Sequence, residues 1–220
     1  VSKIVGALPK KINENKNFNL NVDTIIENIN ASTKVIYIAS PNNPTGTYLP
    51  RDQIVKLMQN ISKNIIVVID GAYVEYVEKK DYDKGFSLSD EFENIILTRT
   101  FSKTYGLAAL RIGWCYTSQK VAEIIKKIKP PFNTTSISQA LAIKALEDHE
   151  YIDKIVKINT EIKTWFEHEL KNLNIKTRTT EGNFSLIESS VDEVNKISNH
   201  LLKDGIIVRS LDSYNLPNFL

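Results

Sequence analysis

Apolar residues fall into two kinds of run along this chain. Compact blocks, Val35-Ile36-Tyr37-Ile38-Ala39, Ile65-Ile66-Val67-Val68-Ile69 and Ile95-Ile96-Leu97 running on to Thr98, predict strands. The 65–69 block is unbroken and β-branched, the pattern of a strand covered on both faces. Between the blocks, apolar residues recur at helical spacing. Ile25, Ile26 and Ile29 follow Asp23, which can cap a short helix, and Ile54, Leu57, Met58 and Ile61 follow Pro50 at a helix start. Strand, helix, strand at this spacing means parallel crossovers, hence a three-layer α/β fold around a mainly parallel sheet. Residues 1–11 read as the tail of a helix stopped near Pro9, and 13–21 as a polar loop or edge.

Further on, 112–117 reads as a strand, and 120–128 as a helix ended by Pro130-Pro131. Helices are expected over 136–146 and 151–173, the second with Ile152, Ile155, Val156, Ile162, Trp165, Phe166 and Leu170 inward. From about Ile175 the texture changes. Strands at 175–179 and 184–188, a helix at 191–203 and a strand at 206–209 suggest a smaller α+β unit with antiparallel pairing. The division is expected near residue 150. No internal repeat or low-complexity tract is visible.

Composition narrows the class. With 25% charged and 42% hydrophobic residues the chain has the balance of a globular protein. Lys and Arg number 28 against 26 Asp and Glu, so no strong field argues for nucleic acid or a membrane surface. The single cysteine, Cys115, excludes an internal disulfide and fits a reducing, cytoplasmic compartment; as a strand residue it is expected to be a buried small hydrophobe. No apolar run is long enough to span a bilayer. His149, His168 and His200 have no ligand-spaced partners, so no metal site is expected. The chain opens on Val1 without Met and stops at Asn218-Phe219-Leu220, which reads as the approach to another strand; both ends look cut.

The candidate chemistry gathers where the strand blocks end. Lys103 leaves the third block through Thr98-Arg99-Thr100-Phe101-Ser102, and Arg111 follows. Thr100, Ser102 and Arg111 offer hydroxyl donors and a planar guanidinium, which a phosphate needs. An amine beside a phosphate cradle suggests a phosphorylated aldehyde held as a Schiff base, and pyridoxal 5'-phosphate is the candidate. The bland alternative is a surface lysine in a polar loop. Asp70 ends the second block, where a carboxylate is costly unless it meets a cation; a protonated pyridine nitrogen would serve, as would a helix cap or a structural ion pair. Asn43, in the Pro-flanked Ser40–Gly46 loop, and Tyr73 can each reach a ring oxygen, although Asn in a turn is ordinarily a turn former.

Taken in order, Pro41-Asn42-Asn43-Pro44-Thr45-Gly46, then Asp70-Gly71-Ala72-Tyr73, then Ser102-Lys103 with Arg111, the chain resembles the fold type I, pyridoxal-phosphate-dependent class I/II aminotransferases along essentially its whole length. Within them it is most similar to the histidinol-phosphate aminotransferase family, on Arg99–Lys103, Leu107–Arg111, Pro131-Phe132-Asn133, Glu181–Phe184 and Gly205–Arg209. Gly71 and Ala109 depart from that family, which usually has Glu and Gly there.

The resemblance implies Lys103 as the catalytic, cofactor-linked lysine, with Asn43, Asp70, Tyr73, Thr100, Ser102 and Arg111 holding the cofactor. It further implies Arg209 and Asn183 on the substrate. Residues 1–150 would be most of a cofactor-binding large domain and 151–220 part of a small one, in a cytoplasmic homodimer. The implied reaction is ping-pong transamination of histidinol phosphate with 2-oxoglutarate, in histidine biosynthesis. Other outcomes are an aromatic aminotransferase, a threonine-phosphate decarboxylase or a non-catalytic cofactor-binding domain. The resemblance also places the substrate-carboxylate arginine beyond Leu220. The rest of the phosphate cup, and a tyrosine reaching across the dimer, would precede Val1, so low turnover is expected from this span alone.

Overall fold

The computed structural model describes residues 3–220. A four-stranded sheet carries the order β1 (Val35–Ala39), β2 (Ile66–Asp70), β3 (Ile95–Thr100), β4 (Gly113–Thr117). β1, β2 and β3 are parallel, with Ala39 beside Asp70 and Asp70 beside Thr98, so their carboxyl ends share one edge. β4 returns antiparallel, Thr100 opposite Gly113. The fold is the α/β class that strand–helix–strand spacing predicts.

Helices α1 (Val22–Glu27), α2 (Arg51–Gln59) and α3 (Phe86–Glu91) all pack on one face. Their Val22, Ile25, Ile54, Leu57, Met58 and Leu88 close over Ile38, Val67, Ile69, Ile95 and Leu97, and these strand residues alternate, as one face of a pleated sheet must. On the other face the alternate residues Ile66, Val68, Ile96 and Thr98 are half-buried, and Val35 and Tyr37 are 57% and 62% exposed. The unbroken 65–69 block implies cover on both sides; among the described residues the helices supply it on one. Cys115, on that second face, is therefore exposed rather than buried.

After α4 (Gln119–Ile128), α5 (Ser136–Glu147) and α6 (His149–Asn172), a second sheet pairs β5 (Lys176–Arg178) antiparallel with β6 (Leu186–Glu188), and α7 (Val191–Lys203) follows. The other edge of β6 takes the segment at 218–220, with Ile187 and Leu220 exchanging backbone bonds of 2.8 and 3.0 Å. The strand expected at 206–209 does not form. Both edges of β6 are occupied, Gly205 ends α7 in the left-handed region, and Ile206 and Ile207 stand exposed and irregular.

Three other expectations change. Residues 3–6 form a turn with Gly6 left-handed and the chain continues irregularly through Pro9, so no helix lies there; Val1 and Ser2 fall outside the described residues. Asn21, not Asp23, caps α1, its side chain accepting from the amides of Asp23 and Thr24. Along α6 only Leu170 of the expected stripe is buried, and Trp165 is 61% exposed.

Candidate active site

The carboxyl edge of the parallel strands gathers most of the residues singled out from sequence. Ser40–Gly46 leaves β1 as a tight loop, closed by the amide of Gly46 donating to the Asn42 carbonyl at 2.8 Å. The loop is anchored beneath: the buried Ser40 hydroxyl accepts from the Leu49 amide at 2.9 Å. It holds the Asn43 amide 2.7 Å from the Tyr73 hydroxyl, to which it donates. Tyr73 follows β2 at the start of a short 3-10 turn, Val74–Tyr76, and is itself buried. The Lys103 ammonium lies 5.2 Å from the centre of the Tyr73 ring, within cation–π range. Asn43, Tyr73 and Lys103 thus meet although 30 residues separate each from the next.

Asp70 is the last residue of β2 and half-buried on the sheet face opposite α1–α3. Its carboxylate accepts a hydrogen bond from the Tyr37 hydroxyl. Among the described residues no Lys, Arg or His forms an ion pair with it. A half-buried carboxylate at a strand end, served by one neutral donor and in no ion pair among the described residues, can accept a hydrogen bond from a cationic donor.

Thr100 ends β3, and its hydroxyl accepts from the Ser102 amide at 3.1 Å, turning the chain toward Lys103. Lys103 is exposed and Ser102 half-buried. Arg111 sits in the left-handed region at φ 48°, which costs a non-glycine residue about 1–2 kcal/mol. Its guanidinium donates to the Ala108 carbonyl at 2.8 Å and stays open to solvent. Hydroxyls and a solvent-facing guanidinium carried on the segment that bears Lys103 are groups that can bind a phosphate monoester.

Below this loop lies a buried polar layer. Arg99 donates to the carbonyls of Thr98, at 2.8 Å, and Lys84, filling the space that Gly71 leaves open. The Thr104 hydroxyl donates to Glu75 at 3.3 Å. Burial pushes the Glu75 carboxyl up, opposed by the Arg99 charge among others, and burial pulls the Arg99 guanidinium down. Glu75 is thus tied to the lysine loop through Thr104.

The second sheet approaches through one turn. Gly46, at φ 72°, packs so closely on Thr180 that any Cβ would collide with it, and the Glu181 amide donates to the Gly46 carbonyl at 2.8 Å. Phe184 stands edge-on to Tyr73 with ring centres 5.3 Å apart. Asn183 is exposed on this turn beside Phe184. Arg209 lies elsewhere, on the irregular segment after α7, where its guanidinium donates to the Tyr214 hydroxyl at 2.6 Å. Among the described residues no hydrogen bond or ion pair links Arg209 to Asp70, Tyr73 or Lys103. Thr180 and Tyr37 are additions to the site that the sequence reading lacked, and Phe184 entered it only within the Glu181–Phe184 stretch. Of the two additions only Tyr37 left a trace, sharing a strand phase with Ala39, which lies beside Asp70.

The described residues contain no cluster of three or more His, Cys, Asp or Glu able to hold a metal, and no helix long and apolar enough to cross a membrane.

The chain is similar to known proteins along its whole length. The histidinol-phosphate aminotransferase of Pelagibacter ubique is 40% identical over 222 residues, a match covering all of this chain and 61% of that protein. The crystal structure of a putative histidinol-phosphate aminotransferase from Erwinia carotovora superposes with a TM-score of 0.88 at 22% identity, covering 99% of this chain and 63% of that one. That of histidinol-phosphate aminotransferase from Sinorhizobium meliloti, in complex with pyridoxal-5'-phosphate, gives 0.84 at 25% identity, covering 93% and 56%. The chain therefore spans about three fifths of the length of the curated relatives it matches. The family model for aminotransferase class I and II matches residues 3–220, and with a site of this composition at the strand ends the chain belongs to the class I and II aminotransferase family.

Proposed function

We propose that this chain carries the cofactor site and part of the substrate site of a pyridoxal-phosphate-dependent histidinol-phosphate aminotransferase. The observation that carries the reading is Asp70, a half-buried strand-end carboxylate in no direct ion pair among the described residues. It lies at the same strand edge as the Asn43–Tyr73 pair and Lys103. That donor set fits the cofactor: an acid for a ring nitrogen, two hydrogen-bonding groups for a ring oxygen, an amine for an aldehyde and hydroxyls with a guanidinium for a phosphate. The 40% identity to the P. ubique enzyme supports the amino donor.

When bound, pyridoxal phosphate supplies an electron sink for the charge that develops at the substrate's Cα as its proton leaves. Asp70 keeps the ring nitrogen protonated. Asn43 and Tyr73 bind the ring oxygen. Thr100, Ser102 and Arg111 hold the phosphate, fixing orientation with interactions present throughout the reaction. Lys103 would bind the cofactor's aldehyde through its amine, and that amino group would hold and move the proton at the substrate's Cα. Arg209 binds the phosphate of histidinol phosphate and Asn183 lies near the substrate, which requires the segment bearing Arg209 to turn from Tyr214 toward the site. Residues 1–150 form the cofactor domain and 151–220 part of the substrate domain of a cytoplasmic homodimer, with 2-oxoglutarate as amino acceptor.

An absorbance spectrum of the full-length protein mixed with pyridoxal phosphate tests this directly. A visible band should appear, vanish in Lys103→Ala and bleach on adding histidinol phosphate. No Lys103-dependent band would refute the cofactor, and bleaching by aromatic amino acids alone would refute the donor.

A further inference from the structure

The two residues that meet at Asp70 come from neighbouring strands on one sheet face. Tyr37 lies beside Val68, two places before the Ala39–Asp70 pair, so the register puts it diagonally across from Asp70. A diagonal neighbour is some 7–8 Å away at Cα, within reach of a phenol laid along the strand. The structure shows that reach completed: the Tyr37 hydroxyl donates to Oδ2 of Asp70. No other side chain among the described residues hydrogen-bonds this carboxylate, which leaves Oδ1 free. Leucine or valine at position 37 would continue the apolar pattern of the strand but supply no donor. Loss of water around the phenol, then the bond to Asp70 and its charge, push the Tyr37 pKa up, so it stays a donor at neutral pH.

We infer that Tyr37 is a positioning residue for the cofactor: its hydroxyl fixes one oxygen of Asp70 so that the other meets the ring nitrogen. The inference rests on the pyridoxal-phosphate reading of the site and adds a residue that acts through Asp70. A charged acceptor held by one donor has one rotamer and one free oxygen, whereas an unheld carboxylate samples several.

The test uses full-length wild type, Tyr37→Phe, Asp70→Asn and Lys103→Ala, each titrated with pyridoxal phosphate labelled with 15N in the ring. Apoprotein stability in urea is measured alongside. Tyr37→Phe should fold as well as wild type, bind about tenfold more weakly, and move the ring-nitrogen 15N shift part of the way toward the neutral value reached in Asp70→Asn. Unchanged or tighter binding overturns the inference, the latter because the phenol would then be competing for the place of the ring nitrogen. Weaker binding with an unmoved 15N shift also overturns it, since a purely structural role predicts that pair. Absence of a Lys103-dependent band in wild type is a separate result; it removes the cofactor reading and this inference with it.

Discussion

The two faces of the four-stranded sheet are built from the same strands, yet they do different work. One face, with Ile38, Val67, Ile69, Ile95 and Leu97, is sealed by α1, α2 and α3. The other carries Tyr37, Asp70, Thr98 and Thr100, and its residues are half-buried or exposed. Because side chains alternate along a strand, Ile69 and Asp70 or Leu97 and Thr98 can be adjacent in sequence and still belong to separate environments. The apolar core is thereby kept on one side and the strand-end polar groups Asp70, Thr98 and Thr100 on the other. The exception, Arg99 on the sealed side, is made tolerable by two backbone carbonyls and by the gap at Gly71.

The sharpest way to break this division is to truncate neighbours on β3. Leu97→Ala removes a side chain only 1% exposed and should cost about 2–5 kcal/mol. Thr98→Ala, one residue on, should cost under about 1 kcal/mol. Urea denaturation of both variants decides it, and equal losses would mean that the faces are equivalent. Next in size is Gly71→Ala. Its Cβ would meet the Arg99 guanidinium and the Val74 side chain. Although an arginine tip usually moves aside, this one is pinned by its carbonyl partners, so overpacking should cost about 1–3 kcal/mol in the same assay.

The reverse substitution pattern is expected at Asp70. Asp70→Asn keeps the shape and a hydrogen-bond acceptor for Tyr37, so folding stability should stay within about 1 kcal/mol of wild type. Losing the charge should weaken pyridoxal phosphate binding roughly 10- to 100-fold, the worth of a charge-assisted hydrogen bond. Equilibrium titration of the cofactor beside a urea melt separates the two quantities. A variant that unfolds as badly as Leu97→Ala would make Asp70 structural and erase the contrast.

What could be read from sequence follows the same physical line. Strand blocks and α2 were legible because their apolar positions have a clean period. Asp70 stood out as a polar group ending an apolar run, whereas Asn43, Tyr73 and Lys103 were singled out by the ordered motifs that carry the family resemblance. Tyr37 was hidden inside such a run, and only inter-strand register reveals what its hydroxyl meets. The segment 206–209 has residues that suit a strand, yet pairing depends on where the chain carries it. The helical stripe of α6 was visible as a pattern, whereas its burial depends on what packs there, which no local pattern contains. Arg209 marks a further limit, since its contact with the Tyr214 hydroxyl is one that no local pattern shows.

The second sheet offers a control in which no such division exists. Leu186 and Glu188, two apart on β6, share a face, and the one is buried while the other meets Arg178 at 2.6 Å and Lys176 at 3.0 Å. The hydrogen bond from Arg178, then that from Lys176, holds the Glu188 carboxyl below its ordinary value. A carboxyl depressed by folding stabilises the native state above its unfolded pKa, about 4.3, and that contribution fades as pH falls through the lower folded value. The partners are partly solvated, so the gain at pH 7 should be at most about 1 kcal/mol. Wild type should therefore exceed Glu188→Gln by that margin in urea at pH 7, and the difference should shrink as the buffer is taken below pH 4. A margin that held constant with pH would mean the glutamine loses packing and not charge. Since Glu188 touches neither face of the first sheet, its removal should leave cofactor affinity as it was, which makes it the smallest and most local of these effects.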